Sequence, residues 1–93
     1  MDNQEEFYQK LRQTLVESTT FPTTYIYKFI VPNEESGINQ LMEFFDYQGA
    51  VIISKDSKTN KYKSFTINVL TNSVDEIIQK YIEVSVIEGI ISL

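Results

Sequence analysis

Apolar residues along this chain recur with two periods, and the switches between them mark out its elements. The most strand-like run is Phe21 to Val31, FPTTYIYKFIV, rich in aromatic and β-branched residues. From about Thr24 it alternates strictly. Tyr25, Tyr27, Phe29 and Val31 fall on one face, and Ile26, Lys28 and Ile30 on the other. A rigid Phe-Pro turn opens the run and Pro32 closes it, so it reads as the central strand of a sheet. Before it, residues 3–17 follow a helical period: Phe7, Leu11 and Leu15 recur every four residues with Tyr8 beside them, opposite a face of Gln, Glu, Lys and Arg. Asn3 and Glu6 have the spacing of a capping box. Ser18, Thr19 and Thr20 then dissolve the pattern, and Pro22 forbids its return.

After Pro32 the period returns to helical. Asn33 reads as an N-cap, Glu34 and Glu35 suit the positive end of the helix dipole, and Ile38, Leu41, Met42 and Phe45 form one stripe. Gly49 suits a left-handed stop or turn after that helix. Ala50 to Asp56 reads as a second strand, with Val51 and Ile53 assigned to the buried face and Ile52 to the opposite one. Ser57 to Lys61 is a turn in which Asn60 tolerates positive φ. A third strand runs from Lys61 or Tyr62 to Leu70, with Phe65, Ile67 and Val69 on one side and Ser64, Thr66 and Asn68 on the other. The short link makes these two strands an antiparallel hairpin. Ser73 and Glu76 have capping-box spacing, and Val74, Ile77, Ile78, Tyr81 and Ile82 form the strongest helical stripe in the chain. Val84 to Leu93 ends in a short apolar strand, GIISL, after a bend at Gly89.

The order is thus a helix followed by β-α-β-β-α-β. It predicts an α+β fold, a ferredoxin-like βαββαβ sandwich in residues 24–93 with a four-stranded antiparallel sheet, two helices on one face and an extra N-terminal helix. The expected core is Tyr27, Phe29, Val31, Leu41, Phe45, Val51, Ile53, Phe65, Ile67, Val69, Ile77, Ile78 and Tyr81. Ala50 to Asp56 and Gly89 to Leu93 would form the two sheet edges.

Composition narrows the functional classes. Ninety-three residues, 42% hydrophobic, with six Tyr and six Phe, suit one globular domain. No apolar run approaches the roughly 18–20 residues that span a bilayer, the start MDNQEEFYQK does not read as a secretory signal, and cysteine is absent. The expected location is the cytoplasm. A net charge of −5 disfavours generic binding to nucleic acid or anionic membrane. Within that acidic chain, Lys55, Lys58, Lys61 and Lys63 cluster against a single acid, Asp56; a solvated hairpin tip explains them, and a docking site for an acidic partner is the functional reading.

Three segments carry a resemblance: FPTTYIYKF (Phe21 to Phe29), SKTNKYKSFTINV (Ser57 to Val69) and VIEGIISL (Val86 to Leu93), with EFYQKL before them. In these the chain resembles the uncharacterised bacterial YbeD-like family, along nearly its whole length. It departs from the pattern in carrying Asn60 where members commonly have glycine, which left-handed turn geometry allows. The resemblance implies a ferredoxin-like domain similar to ACT regulatory domains, without an assigned activity.

Catalysis is not expected. Histidine and cysteine are both missing, which removes the imidazole base, the thiol nucleophile and the common transition-metal ligands; no glycine-rich phosphate loop is present, and no cofactor is implied. An RNA-stacking sheet would need Tyr25, Tyr27, Phe29, Tyr62 and Phe65 in solvent. The alternation that leaves Ser64, Thr66 and Asn68 outside assigns the aromatics to the core instead, so nucleic acid is not an expected partner. An ACT-like metabolite site would lie at the first strand-to-helix loop, Pro32 to Gly37, which a capped turn also explains. The favoured reading is a regulatory or adaptor module for an unidentified protein partner, with no membrane role. Its candidate surface is Ile26, Lys28, Ile30, Lys58, Lys61, Ser64 and Thr66, with Ile52 nearby. The alternative function is an ACT-like small-metabolite sensor; for the surface itself, homodimer pairing through an edge strand or the open sheet face, or a fold-back of the N-terminal helix over that face, are further options.

Overall fold

A computed structural model describes residues 3–46 and 49–93. The elements run α1 (Asn3–Ser18), β1 (Thr23–Pro32), α2 (Glu35–Phe44), β2 (Val51–Asp56), β3 (Tyr62–Thr71), α3 (Val74–Val84) and β4 (Ile91–Ser92). The strands form one antiparallel sheet in the order β2-β3-β1-β4. β1 and β3 are its spine, paired without a break from Thr23 opposite Thr71 to Pro32 opposite Tyr62. The edges are shorter. β2 pairs from Val51 opposite Asn68 to Asp56 opposite Lys63, and β4 only where Ile30 meets Ile91 and Phe29 meets Ser92.

Residues directly opposite in an antiparallel ladder share a face, so this register sorts the sheet. One face carries Tyr27, Phe29 and Val31 from β1 and Phe65, Ile67 and Val69 from β3, all buried. Leu41 from α2, Phe45 at its C-cap, and Ile77, Tyr81 and Val84 from α3 close over them. At the centre is a cluster of rings. Tyr27 lies 4.8 Å from Tyr25, 5.1 Å from Phe45 and 5.3 Å from Tyr81 between centroids, mostly edge-to-face. The Tyr25 and Tyr81 hydroxyls are hydrogen-bonded at 2.9 Å. Burial first, and that hydrogen bond second, push the Tyr81 phenol well above its ordinary pKa.

The expected core is altered on β2. Val51 and Ile53 are 57% and 60% exposed, and Ile52 packs against the core in their place. The ladder explains the exchange: Ile52 stands opposite buried Ile67, whereas Val51 and Ile53 stand opposite Asn68 and Thr66. Leu15, Val84 and Ile87 join the core beyond expectation.

Capping also differs from expectation at one helix. α3 begins as predicted, with the Ser73 hydroxyl accepting from the Glu76 N–H at 3.2 Å, and Glu76 reaching back to the Asn72 N–H. At α2 the N-cap is Glu34, without a side-chain cap bond. Asn33 instead donates its amide to the Asn60 carbonyl (3.0 Å) and its backbone N–H to the Lys61 carbonyl (2.9 Å). Strand β1 runs on through Pro32 beside the hairpin tip, which draws Asn33 sideways before the helix starts. The far end of α2 is held by Lys80, which donates to the Phe44 carbonyl at 2.7 Å and sits over the Phe45 ring. The side chain of Asn3, and with it the expected Asn3–Glu6 box, lies outside the described residues.

Between α3 and β4 the chain winds through turns, with Ile87 three residues beyond Val84 continuing the buried stripe. The final strand is therefore only two residues long. Gly89 lies at φ +79°, and a Cβ there would stand 2.7 Å from Pro32 Cγ, so both backbone and space require glycine. Asn60 takes the predicted positive φ, +59°.

α1 settles on α3. Leu15 enters the core, the Phe7 ring meets Tyr81 edge-on at 6.2 Å, and the Arg12 guanidinium pairs with Asp75. It therefore lies on the helical side and does not fold back over the open face.

Candidate functional site

The face of the sheet turned away from the helices carries the even-numbered residues of β1 and β3 and the odd-numbered ones of β2 and β4. Its cross-strand rows read Val51–Asn68–Ile26, then Ile53–Thr66–Lys28, then Lys55–Ser64–Ile30–Ile91. Leu93 extends β4 opposite Lys28, whose carbonyl accepts the Leu93 N–H at 2.9 Å. Ile26, Val51, Ile53, Tyr62, Leu70, Ile91 and Leu93 are all exposed on this side, a concentration of apolar surface unlike singly scattered side chains.

Of the residues expected to form an interaction surface, Ile26, Lys28, Ile30, Ser64 and Thr66 lie together on this face, Ile30, Ser64 and Thr66 being half-buried. Lys58 and Lys61 lie at the hairpin turn beyond its edge, both exposed. Ile52 is removed from the surface, as shown above. Val51, Ile53, Lys55, Tyr62, Leu70, Ile91 and Leu93 belong to it and were not anticipated. Two signals for them were available. Placing Asp56 opposite Lys63, a favourable cross-strand charge pair whose groups stand 3.7 Å apart, sets Ile52 inward and Val51 and Ile53 outward. Counting back from Phe65 by twos leaves Tyr62 on the Ser64 side.

The five aromatics that a base-stacking sheet would use are divided by the fold. Tyr27, Phe29 and Phe65 are buried, Tyr25 packs against the core, and Tyr62 alone reaches the open face.

At the hairpin end of this face, Ile30, Tyr62, Ser64 and Ile91 form the floor of an open cavity of about 520 Å³, walled by Lys55, Asp56, Ser57 and Lys58. The wall is held by main-chain and hydroxyl bonds. Ser57 N–H donates to the Tyr62 carbonyl (2.9 Å), the Ser57 hydroxyl accepts from the Tyr62 N–H (3.2 Å), and the Ser64 hydroxyl donates to the Lys55 carbonyl (3.3 Å). Asn33 ties the tip back to the end of β1. Asp56 is engaged by Lys63, while Lys28, Lys55, Lys58 and Lys61 make no ion pair among the described residues.

Charge separates the two sides of the molecule. Five of the eight Lys and Arg residues lie on β1 or the β2–β3 hairpin, beside one acid, Asp56; the remaining twelve acids lie elsewhere with three cations. The first strand-to-helix loop, where an ACT-like ligand would lie, borders a smaller cavity of about 270 Å³ whose lining includes Glu34 and Glu88. Among the described residues, no group of three or more acidic side chains converges as a metal site, and no helix is long and apolar enough to cross a membrane.

Residues 16–93 match the sequence model of a family described as a protein of unknown function, DUF493. The chain belongs to the DUF493 family. The DUF493 match takes in the whole sheet with α2 and α3, and so the entire open face; most of α1 precedes it. Comparison with curated proteins and with solved structures returned no match.

Proposed function

We propose that this DUF493 chain acts in the cytoplasm by binding another protein through the open face of its sheet, as a regulatory or adaptor module without catalytic activity of its own. The observation that carries this reading is the set Ile26, Val51, Ile53, Tyr62, Leu70, Ile91 and Leu93, exposed on one face among polar side chains and left uncovered by all three helices. A chain that places three helices on one side and leaves seven large apolar residues on the other has a surface suited to a partner. The lack of His and Cys supports a binding role over an enzymatic one. The strand order, with β1 and β3 central and a helix connecting each β-α-β unit, supports a ferredoxin-like arrangement. The YbeD-like segments within β1, β3 and the C-terminal turn support a tie to that group, whose resemblance to ACT regulatory domains is in keeping with a binding role.

The test is a photoreactive amino acid placed at Ile53 or Ile26 and, separately, at Met42 or Ile82 on the helical side, with irradiation in the native cell. A discrete cross-linked product from the sheet positions alone is the expected result. Cross-links from the helical positions alone, or from none of the four, would overturn the reading.

A further inference from the structure

We propose that the cavity at the hairpin end of the open face is an anchoring cup for an acidic protein segment: it takes one bulky apolar side chain of the partner while Lys55 and Lys58 meet carboxylates that flank it. This rests on the open sheet face being the binding surface, and it names the part of that face that carries the specificity.

The cup joins two features. Its floor is apolar, built by Ile30, Ile91 and the Tyr62 ring, and its volume of about 520 Å³ falls within the range of ordinary ligand clefts, roughly 300–1,000 Å³. Its wall carries two ammonium groups, of Lys55 and Lys58, neither paired with a carboxylate among the described residues. One acid, Asp56, also lines the cup and pairs with Lys63 at 3.7 Å, so the cations of Lys55 and Lys58 remain in excess there. An apolar seat beside unneutralised cations selects an apolar group that brings negative charge with it.

The occupant is a protein segment on three grounds. First, the face carrying the cup runs on past Lys28 and Thr66 to Ile53 and Ile26, so a chain anchored there continues over further mixed apolar and polar surface. A free metabolite would leave much of itself in water in so open a site. Second, a second copy meeting this face with its own offers no carboxylate to Lys28, Lys55 and Lys58 from its cross-strand rows, which contain none. Third, stacked bases need aromatic platforms, and among the described residues Tyr62 is the one aromatic that reaches this face.

The experiment selects 12-residue peptides from a random displayed library against the full chain, followed by amide chemical-shift mapping with the best binder. Enriched peptides should carry Leu, Phe or Trp with Asp or Glu within a few positions. The binder should shift Ile30, Tyr62, Ser64 and Ile91. Its affinity should fall about tenfold or more in the Lys55→Glu/Lys58→Glu double variant and fall partly in Lys55→Gln/Lys58→Gln, with weaker binding at higher salt. No enrichment, enrichment without an acidic excess, or equal affinity for the double variant overturns the proposal. Peptides that shift only the Ile26, Val51 and Ile53 end reject the cup and keep the open-face reading, whereas shifts confined to α1, α2 or α3 reject both. Concentration-dependent shifts at the cup without peptide would assign it to a second copy. Shifts there with poly(U), absent for every peptide, would assign it to nucleic acid; either result overturns the proposal.

Discussion

The two faces of this sheet are built from the same strands by alternate residues, yet they differ in almost every physical respect. The helix-facing side is filled with rings and branched aliphatics: Tyr27, Phe29, Phe65 and Ile67 are nearly inaccessible, and α2 and α3 close over them. Along the same strands the other side alternates isoleucine with lysine, serine, threonine and asparagine, and no helix covers it. Charge follows the division, with most cations on the sheet and hairpin and most acids elsewhere. The difference teaches which apolar residues are there for folding and which are not. Ile67 and Ile53 are the same residue type on neighbouring strands; one has lost all its water and the other has kept most of it.

Replacing Ile67 should break this comparison most visibly. Ile67 is fully buried between Tyr27 and Ile52, its cross-strand neighbours. Ile67→Ala removes three carbons from a filled interior and should lower unfolding free energy by about 2–5 kcal/mol, measured by denaturant titration. That is a large part of the total stability of a small domain. A loss below about 1 kcal/mol would mean that the two faces have been exchanged.

How much of this was legible beforehand depends on whether a strand alternates. β1 and β3 do, and Tyr27, Phe29, Val31, Phe65, Ile67 and Val69 are buried as their pattern predicts. β2 presents Val51, Ile52 and Ile53 in succession, and three apolar residues in a row contain no phase. Its phase comes from β3 through the ladder, and a shift of one residue exchanges every side chain between faces. The same dependence on a neighbour explains Asn33. Its local signature as an N-cap was sound, but the hairpin tip, distant in sequence, offered its amide a carbonyl at Asn60. On the candidate surface, Ile26, Lys28, Ser64 and Thr66 could be grouped from alternation alone, whereas the cup could not. It draws on β1, the β2–β3 hairpin and the two-residue β4, and only tertiary pairing brings Ile91 beside Ile30.

A smaller effect sharpens the comparison by asking what a polar atom costs inside the buried side. The Tyr81 hydroxyl reaches that of Tyr25 at 2.9 Å, and burial, reinforced by this bond, raises its pKa. A raised pKa in the folded state means that the native protein holds this proton more tightly than the unfolded chain does. The resulting stability is complete below about pH 10, where an ordinary tyrosine is protonated, and declines as pH rises beyond it. Tyr81→Phe should cost about 1 kcal/mol at neutral pH through the lost hydrogen bond. Because the variant cannot ionise at this position, its deficit relative to the parent should shrink above about pH 10. A deficit constant from pH 7 to 11 would show that the Tyr81 proton contributes nothing to alkaline unfolding.

The smallest effect, at Ile53, is the most discriminating, because it is read against the adjacent residue of the same strand. Thr keeps the β-branched shape that a strand favours while replacing a methyl-bearing arm with a hydroxyl. At Ile53, 60% exposed and opposite Thr66, that hydroxyl meets water, so Ile53→Thr should change unfolding free energy by no more than about 0.5 kcal/mol. At Ile52, packed against the core opposite Ile67, the same hydroxyl displaces apolar contact and lacks a ready partner, so Ile52→Thr should cost about 1–2 kcal/mol. Thermal or denaturant unfolding of the two variants side by side therefore reads the phase of β2 directly. The reverse order would turn Val51 and Ile53 inward, strip the open face of two of its apolar residues, and leave the proposed binding surface without its β2 third. The predicted order leaves Ile53 with little role in holding the fold, which is the property expected of an apolar side chain retained for a partner.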